Sequence, residues 1–193
     1  FLGIWYLTSA AAALPVAART LYEVSANYSY TVIPLFIVMG SFASISGSIE
    51  GLYNMFDKWL RRLPGGLAVA TIAACAGFAA VSGSSVAAAA AMSNIAYPEM
   101  RKFDYSPKLA AGTIAGGGTL GFLIPPSIGF VVFGMLTEQS VGKLLIAGIL
   151  PGLILALTFI VLIILMVKRK PGLAPINPDP VSWREKLLSL KNV

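Results

Sequence analysis

Apolar residues in this chain run in blocks long enough to cross a membrane. Residues 28–48 form one block, with Tyr28 and Tyr30 at one end, where aromatic side chains mark a membrane interface. Residues 144–167 form another, entered near Lys143 and closed by Lys168-Arg169-Lys170. As helices rising ~1.5 Å per residue, both cross the ~30 Å of a hydrocarbon core. Residues 1–18 read as the end of a further membrane helix, followed by a polar loop around Arg19, Glu23 and Asn27. Over residues 51–63 the pattern changes. Leu52, Phe56, Trp59, Leu60 and Leu63 fall on one helical stripe, and Asp57, Lys58, Arg61 and Arg62 take the other face. That predicts an amphipathic helix lying in the interface, its stripe an interfacial anchor or a partner surface. Pro64-Gly65-Gly66 ends it.

Residues 67–81 and 84–97 are apolar arms, each short for a separate crossing, that meet at Ser82-Gly83-Ser84-Ser85. Residues 108–137 predict a complete crossing interrupted twice, at Gly116-Gly117-Gly118-Thr119 and at Pro125-Pro126. After residue 170 come a Pro-rich linker and a short amphipathic helix that starts at a capping box of Ser182 and Glu185.

Composition agrees with this pattern: 57% of the residues are hydrophobic and 11% charged, where a soluble domain carries roughly a quarter charged. The fold class is all-α, with polytopic transmembrane helices, a re-entrant helical hairpin and a Gly/Pro-broken helix. There is no His, which excludes His-ligated zinc or haem and Ser-His or Cys-His catalysis within the chain. Cys75 stands alone. The chain opens at Phe1 without an initiator Met or a charged n-region, so it reads as part of a larger membrane protein.

Charge orients the segments. If the arms enter and return, twelve of the 14 Lys and Arg face one side, leaving Arg19 and Lys143 opposite. The positive-inside rule then puts both ends of the hairpin in the cytoplasm. Two full crossings give the same parity, and arm length favours re-entrance. Lys168-Arg169-Lys170 reads as a stop-transfer anchor rather than a lipid or nucleic-acid site.

All 8 acidic residues lie at or beyond the ends of the apolar segments, so no intramembrane carboxylate can relay protons. The polar groups left at membrane depth are hydroxyls and broken backbone. At the hairpin tip the first arm ends in free carbonyls near Ala80 and Val81, and the second begins with N–H groups capped by Ser84 or Ser85. One helix end attracts a cation and the other an anion. The break over residues 116–126 repeats the design. Candidate ion ligands are Ala80, Ser82, Ser84, Gly116 and Thr119; candidate substrate contacts are Ser84, Ser85, Pro125 and Ser127. The competing reading makes Ser-Gly-Ser-Ser a turn and the glycines close helix packing, since Gly112/Gly116, Gly117/Gly121 and Gly148/Gly152 all fit GxxxG.

Three other motifs lead nowhere. Gly116, Gly118 and Gly121 spell GxGxxG, but no Val/Ile-rich strand precedes them and Pro125-Pro126 stands where the dinucleotide helix should run. A serine protease at Ser84 lacks a His or a core Lys to activate the hydroxyl. The sequon Asn27-Tyr28-Ser29 reads as chance.

Taken together, Pro34 to Gly40, Arg62-Leu63-Pro64-Gly65-Gly66-Leu67, Ser82-Gly83-Ser84-Ser85-Val86-Ala87, Pro98-Glu99-Met100, Gly117-Gly118-Thr119-Leu120-Gly121, Leu123-Ile124-Pro125-Pro126-Ser127 and Ala147-Gly148-Ile149-Leu150-Pro151-Gly152 resemble the large membrane subunit (DctM-like) of tripartite ATP-independent periplasmic, or TRAP, transporters. The resemblance implies a multi-pass secondary transporter of the bacterial inner membrane that takes organic acids from a periplasmic binding protein. It implies a sodium gradient as driving force, with sodium as coupling ion and no other cofactor. Its implied partners are a small membrane subunit (DctQ-like), the binding protein (DctP-like) and membrane lipids, with no nucleic acid. It further implies an elevator movement and two inverted repeats, of which this chain carries the first. On that plan residues 1–63 are scaffold-like helices with the interfacial arm helix, 64–139 a transport-domain-like hairpin and broken helix, 140–170 a transmembrane helix, and 171–193 a cytoplasmic linker opening an amphipathic helix. The alternative is a channel or structural membrane subunit without substrate coupling. No enzymatic activity is expected.

Overall fold

The computed structural model describes residues 2–7, 9–26 and 31–175, together with 185, 186 and 189. Tyr28, Tyr30, the sequon and Ser182 lie outside them. The regular secondary structure of the described residues is helical, without strands. They divide into two units, residues 1–35 and 36–193.

In the first unit, α1 (Leu2–Leu7) is followed by α2 (Ala10–Ala26). The polar loop expected at Arg19 and Glu23 is helix instead. One turn apart, their side chains pair at 2.7 Å, the spacing at which opposite charges support a helix.

The chain continues through α3 (Val32–Ile45), and the second unit holds α4 (Ser48–Leu60), α5 (Gly66–Ser82), α6 (Ser85–Lys102), α7 (Pro107–Leu123), α8 (Ile128–Leu136) and α9 (Val141–Arg169), closed by a 3₁₀ turn, Pro171–Leu173. Of these, α9 alone is long and apolar enough to cross a membrane by itself. Two bent pairs reach that length together: α3 with α4, bent by 62°, and α7 with α8, bent by 45°. The first complete span expected at residues 28–48 is therefore a shorter helix that turns at Gly47, whose φ of 79° is open to glycine.

α5 and α6 form the hairpin. Their outer ends lie together, because the Tyr105 hydroxyl accepts the Leu67 N–H at 3.3 Å, satisfying an amide that the first turn of α5 leaves free. α7 packs along both arms more extensively than the arms pack on each other. Small residues permit this. The buried core is lined by Ala68, Ala74, Ala79, Ala88 and Ala96, filled by Phe78, Met92 and Leu120, in keeping with membrane helices that associate by close van der Waals fit. Large apolar side chains face outward instead: Phe42, Ile146 and Leu150 are each about 70% exposed, the distribution of a protein solvated by lipid.

The run Gly116-Gly117-Gly118-Thr119 does not break α7. A methyl on Gly117 would lie 2.7 Å from Cys75 Sγ, and one on Gly118 2.9 Å from Ala89 Cβ. The glycines let an unbroken helix settle between the two arms, so the GxxxG reading holds here, and the break falls only at residues 124–127.

The stripe expected over residues 51–63 is divided: Trp59 and Leu63, towards its end, are exposed. Leu52 and Phe56 pack on Gly77 of α5, and Asp57, expected on the polar face, is buried. Its carboxylate accepts Arg61 Nε at 3.1 Å and also Nη2, while the guanidinium lies 5.8 Å from the Phe103 ring centroid. Tyr53 and Tyr105 are buried beside this pair, and burial, with the Asp57 charge adding to it, raises the Tyr105 phenol pKa above the usual tyrosine value.

The Gly117 contact yields a first prediction. Gly117→Ala should lower the unfolding temperature of the purified protein, at the ~1–3 kcal/mol typical of overpacking. Cys75→Ala removes the closest atom, so the double variant should recover part of that loss; strictly additive losses would contradict the packing.

Candidate functional site

The junction of interest lies where the hairpin tip meets the break between α7 and α8. α5 stops because Gly83 adopts a left-handed conformation (φ 61°) and donates its N–H to the Ala79 carbonyl at 3.0 Å, a glycine stop of the usual kind. The next amide, Ser84 N–H, turns to Ser82 Oγ (3.4 Å). The last carbonyls of α5, from Ala80 onward, are thereby left beyond the reach of the helix's own amides. Ser84 is extended, and its Oγ accepts the Ala87 N–H at 3.2 Å, capping α6. The amides of Ser85 and Val86 stand at the open end of that helix.

Across from the tip, α7 ends at Leu123 and the chain runs extended through Ile124 and a cis Pro125-Pro126 peptide to Ser127. Ser127 is fully buried. Its hydroxyl donates to the Phe122 carbonyl at 2.5 Å and accepts the Phe130 N–H at 3.4 Å, so one side chain ties the end of α7 to the start of α8. Ser84 and Ser127 are thus two N-caps of one design.

The two breaks touch. The Gly83 carbonyl accepts the Ile128 N–H at 3.4 Å, joining the carbonyl end of α5 to the amide end of α8, and the Pro126 carbonyl sits directly against the Gly83 α-carbon. Gly121 lies where a methyl would be 2.9 Å from the Ser85 nitrogen. α3 closes in from another side, since a methyl on Gly40 would stand 3.1 Å from the Ser82 carbonyl oxygen. Behind the break, Gly148 and Gly152 of α9 admit the Leu123 carbonyl and Ile124.

Of the residues expected at the site, the tip supplies Ser82, buried, and Ser84 and Ser85, half-buried; the break supplies Pro125 and Ser127. Ala80 is exposed, one turn back along α5. Gly116 faces Phe159 of α9, and its carbonyl accepts Thr119 Oγ1 at 2.6 Å. Among the described contacts nothing joins Gly116 or Thr119 to the tip. Sequence reasoning missed Gly83, Gly121 and Gly40 as site-forming residues. Each belonged to a motif already singled out, but nothing in the sequence told which helix each would touch.

Comparison with known proteins bears on this arrangement. Residues 1–190 match the family described as "Tripartite ATP-independent periplasmic transporter, DctM component". The chain belongs to this family. Over 174 residues it is 42% identical to the C4-dicarboxylate TRAP transporter large permease protein DctM of Pseudomonas aeruginosa, covering 90% of the chain and 40% of that protein. It is 39% identical over 150 residues to the isethionate TRAP transporter permease protein DctMQ of Oleidesulfovibrio alaskensis (77% and 24% covered). With the ectoine TRAP transporter large permease protein TeaC of Halomonas elongata it shares 34% over 163 residues (84% and 38% covered). The chain therefore spans at most about two fifths of these relatives. It is an all-α membrane chain of a TRAP large permease, and the family forms one component of a tripartite system.

Gly83 and Gly47 offer a paired test of the junction. Both have positive φ, but a methyl at Gly47 meets nothing within 4 Å, whereas one at Gly83 meets the Pro126 carbonyl. Either Gly→Ala change carries the ~1–2 kcal/mol of a left-handed side chain. Gly83→Ala should destabilise further, by the ~1–3 kcal/mol of an overpacked contact, in thermal unfolding of the purified protein. Equal losses would mean that the tip is not seated on the break.

Proposed function

We propose that this chain forms part of the large subunit of a secondary transporter in the bacterial inner membrane, importing organic acids coupled to sodium, with the tip–break junction as its ion and carboxylate site. What carries the reading is the meeting of one helix carboxyl end, α5, with two helix amino ends, α6 and α8. Carbonyls and hydroxyls suit a hard cation, and free amides at a helix start suit an anion. Sodium takes the Ala80 carbonyl with hydroxyl oxygen from Ser82 or Ser84. A substrate carboxylate takes the amides of Ser85 and Val86, bordered by Pro125 and Ser127. Gly116 and Thr119 leave the ligand set, because the Gly116 carbonyl is engaged within α7.

C4-dicarboxylate, isethionate and 2,3-diketo-L-gulonate, named for relatives of this chain, are acids ionised at neutral pH, which favours an anion site. Sodium is favoured over protons because the acidic residues lie at or beyond the ends of the apolar segments, and the buried Asp57 is engaged by Arg61. The hairpin with α7 and α8, residues 64–139, is the element that moves, elevator-fashion. The rest of the substrate site lies in the part of the relatives' length beyond this chain. A small membrane subunit and a periplasmic binding protein complete the system. No enzymatic step is involved. A channel or structural subunit would share the hydropathy but would not concentrate substrate.

The test is uptake of a panel of organic acids by the full-length permease reconstituted with both partners, measured against sodium concentration. Ser82→Ala removes one hydroxyl. Ser84→Gly removes the other while keeping a serviceable N-cap, which glycine provides within a few tenths of a kcal/mol. The half-saturating sodium should rise about ten-fold or more in at least one variant, equivalent to ~1.4 kcal/mol. Unchanged sodium dependence in both, or uptake driven by a pH gradient without sodium, would overturn the assignment.

A further inference from the structure

Away from the junction, a groove of about 550 Å³ runs between α7 and α9, with Ile72 of α5 at its base. Its rim at one end carries Lys108, Arg169 and Lys170. They are brought together because the turn after α9 is tied to the α6–α7 loop, Ser106 N–H donating to the Leu173 carbonyl at 2.8 Å. All three are exposed, and among the described residues none is paired with a carboxylate. From this rim the groove passes Leu109 and Met166 and reaches Gly116 and Phe159. Lys108 to Gly116 is eight helical residues, ~12 Å along the axis, close to the ~15 Å depth of one hydrocarbon leaflet. The floor is open at Gly112, where an added methyl would meet nothing within 4 Å.

We propose that this groove seats an anionic phospholipid, its headgroup on Lys108, Arg169 and Lys170 and one acyl chain lying over Gly112 towards Phe159. The shape fits an acyl chain of one leaflet, and the charge is complementary to an acidic headgroup at the membrane surface, where basic pockets between transmembrane helices take such lipids. Lys168-Arg169-Lys170 is then more than the stop-transfer signal that its sequence suggests, since folding places Lys108 beside it and an apolar channel beneath.

The experiment uses the full permease that contains this chain, purified in non-ionic detergent and stripped of lipid. It is titrated with phosphatidylglycerol or phosphatidylcholine, with binding read by native mass spectrometry. Phosphatidylglycerol should bind at least ten-fold more tightly, and soluble glycerol phosphate should not displace it. Replacing all three cations (K108Q, R169Q, K170Q) should bring the two lipids within about two-fold of each other. Gly112→Leu, which fills the floor, should weaken both about ten-fold. Gly112→Ala, adding a methyl in open space, should bind like the parent and serves as the control for folding. No preference for the anionic lipid in the parent, a preference surviving the triple change, or undiminished binding by Gly112→Leu would overturn the proposal. The last result would leave the groove to another occupant, such as a polypeptide segment or a second copy of the chain.

Discussion

Hydrocarbon offers no hydrogen bonds, so each interrupted helix inside a membrane must find partners for the amides and carbonyls it exposes, at several kcal/mol apiece if it fails. Two such interruptions, the hairpin tip and the α7–α8 break, meet in this chain, and much of its fold is the arrangement that lets them serve one another. Gly83 gives its carbonyl to Ile128, Ser84 and Ser127 cap the two restarted helices, and Ser127 reaches back to the carbonyl of Phe122. Only part of the exposed backbone is matched in this way. The carbonyls after Ala79 and the first amides of α6 remain available, and from them a cation and an anion site can be made.

The glycines follow from the same constraint. For the tip to meet the break, α7 has to lie within contact of both arms, which Gly117, Gly118 and Gly121 allow. α3 and α9 close the junction at Gly40, Gly148 and Gly152. At the opposite end of the hairpin the Arg61 guanidinium, held by Asp57 one turn back, lies over Phe103 and brings the end of α4 to the loop after α6, and the Tyr105–Leu67 hydrogen bond ties that loop to the first turn of α5. A buried ion pair of this kind adds little net stability, but removing one member leaves a charge stranded, at about 3–5 kcal/mol. Side-chain contacts through Arg61 and Tyr105 thus fix the base of the hairpin, while the tip is held by backbone contacts.

Much of this was legible in the sequence, and the failures have physical causes. Apolar blocks, the Ser-Gly-Ser-Ser turn and the amphipathic α4 follow from local pattern, and so do their helices. The break at Gly116 was misplaced because glycine in a membrane helix signals either flexibility or close packing, and only the neighbours Cys75 and Ala89 decide between them. Asp57 looked like part of a solvated face because helical periodicity places it beside Lys58, Arg61 and Arg62, whereas it is buried and its partner Arg61 lies over Phe103, more than forty residues away. Arg19 and Glu23 looked like a loop because charge interrupts an apolar run, although their spacing of four also suits a helix. The candidate residues at the tip and the Pro break came together, while Gly116 and Thr119, chosen on the expectation of a helix break, face elsewhere.

On the proposed function, the unmatched amides and carbonyls of the tip–break junction form one ion and carboxylate site. Hydrogen–deuterium exchange of the reconstituted permease reads those amides directly. Sodium together with a transported acid should slow exchange in peptides covering residues 83–87 and 127–131, with no such protection when choline replaces sodium. Protection absent from both segments, or present in full without sodium, would contradict it.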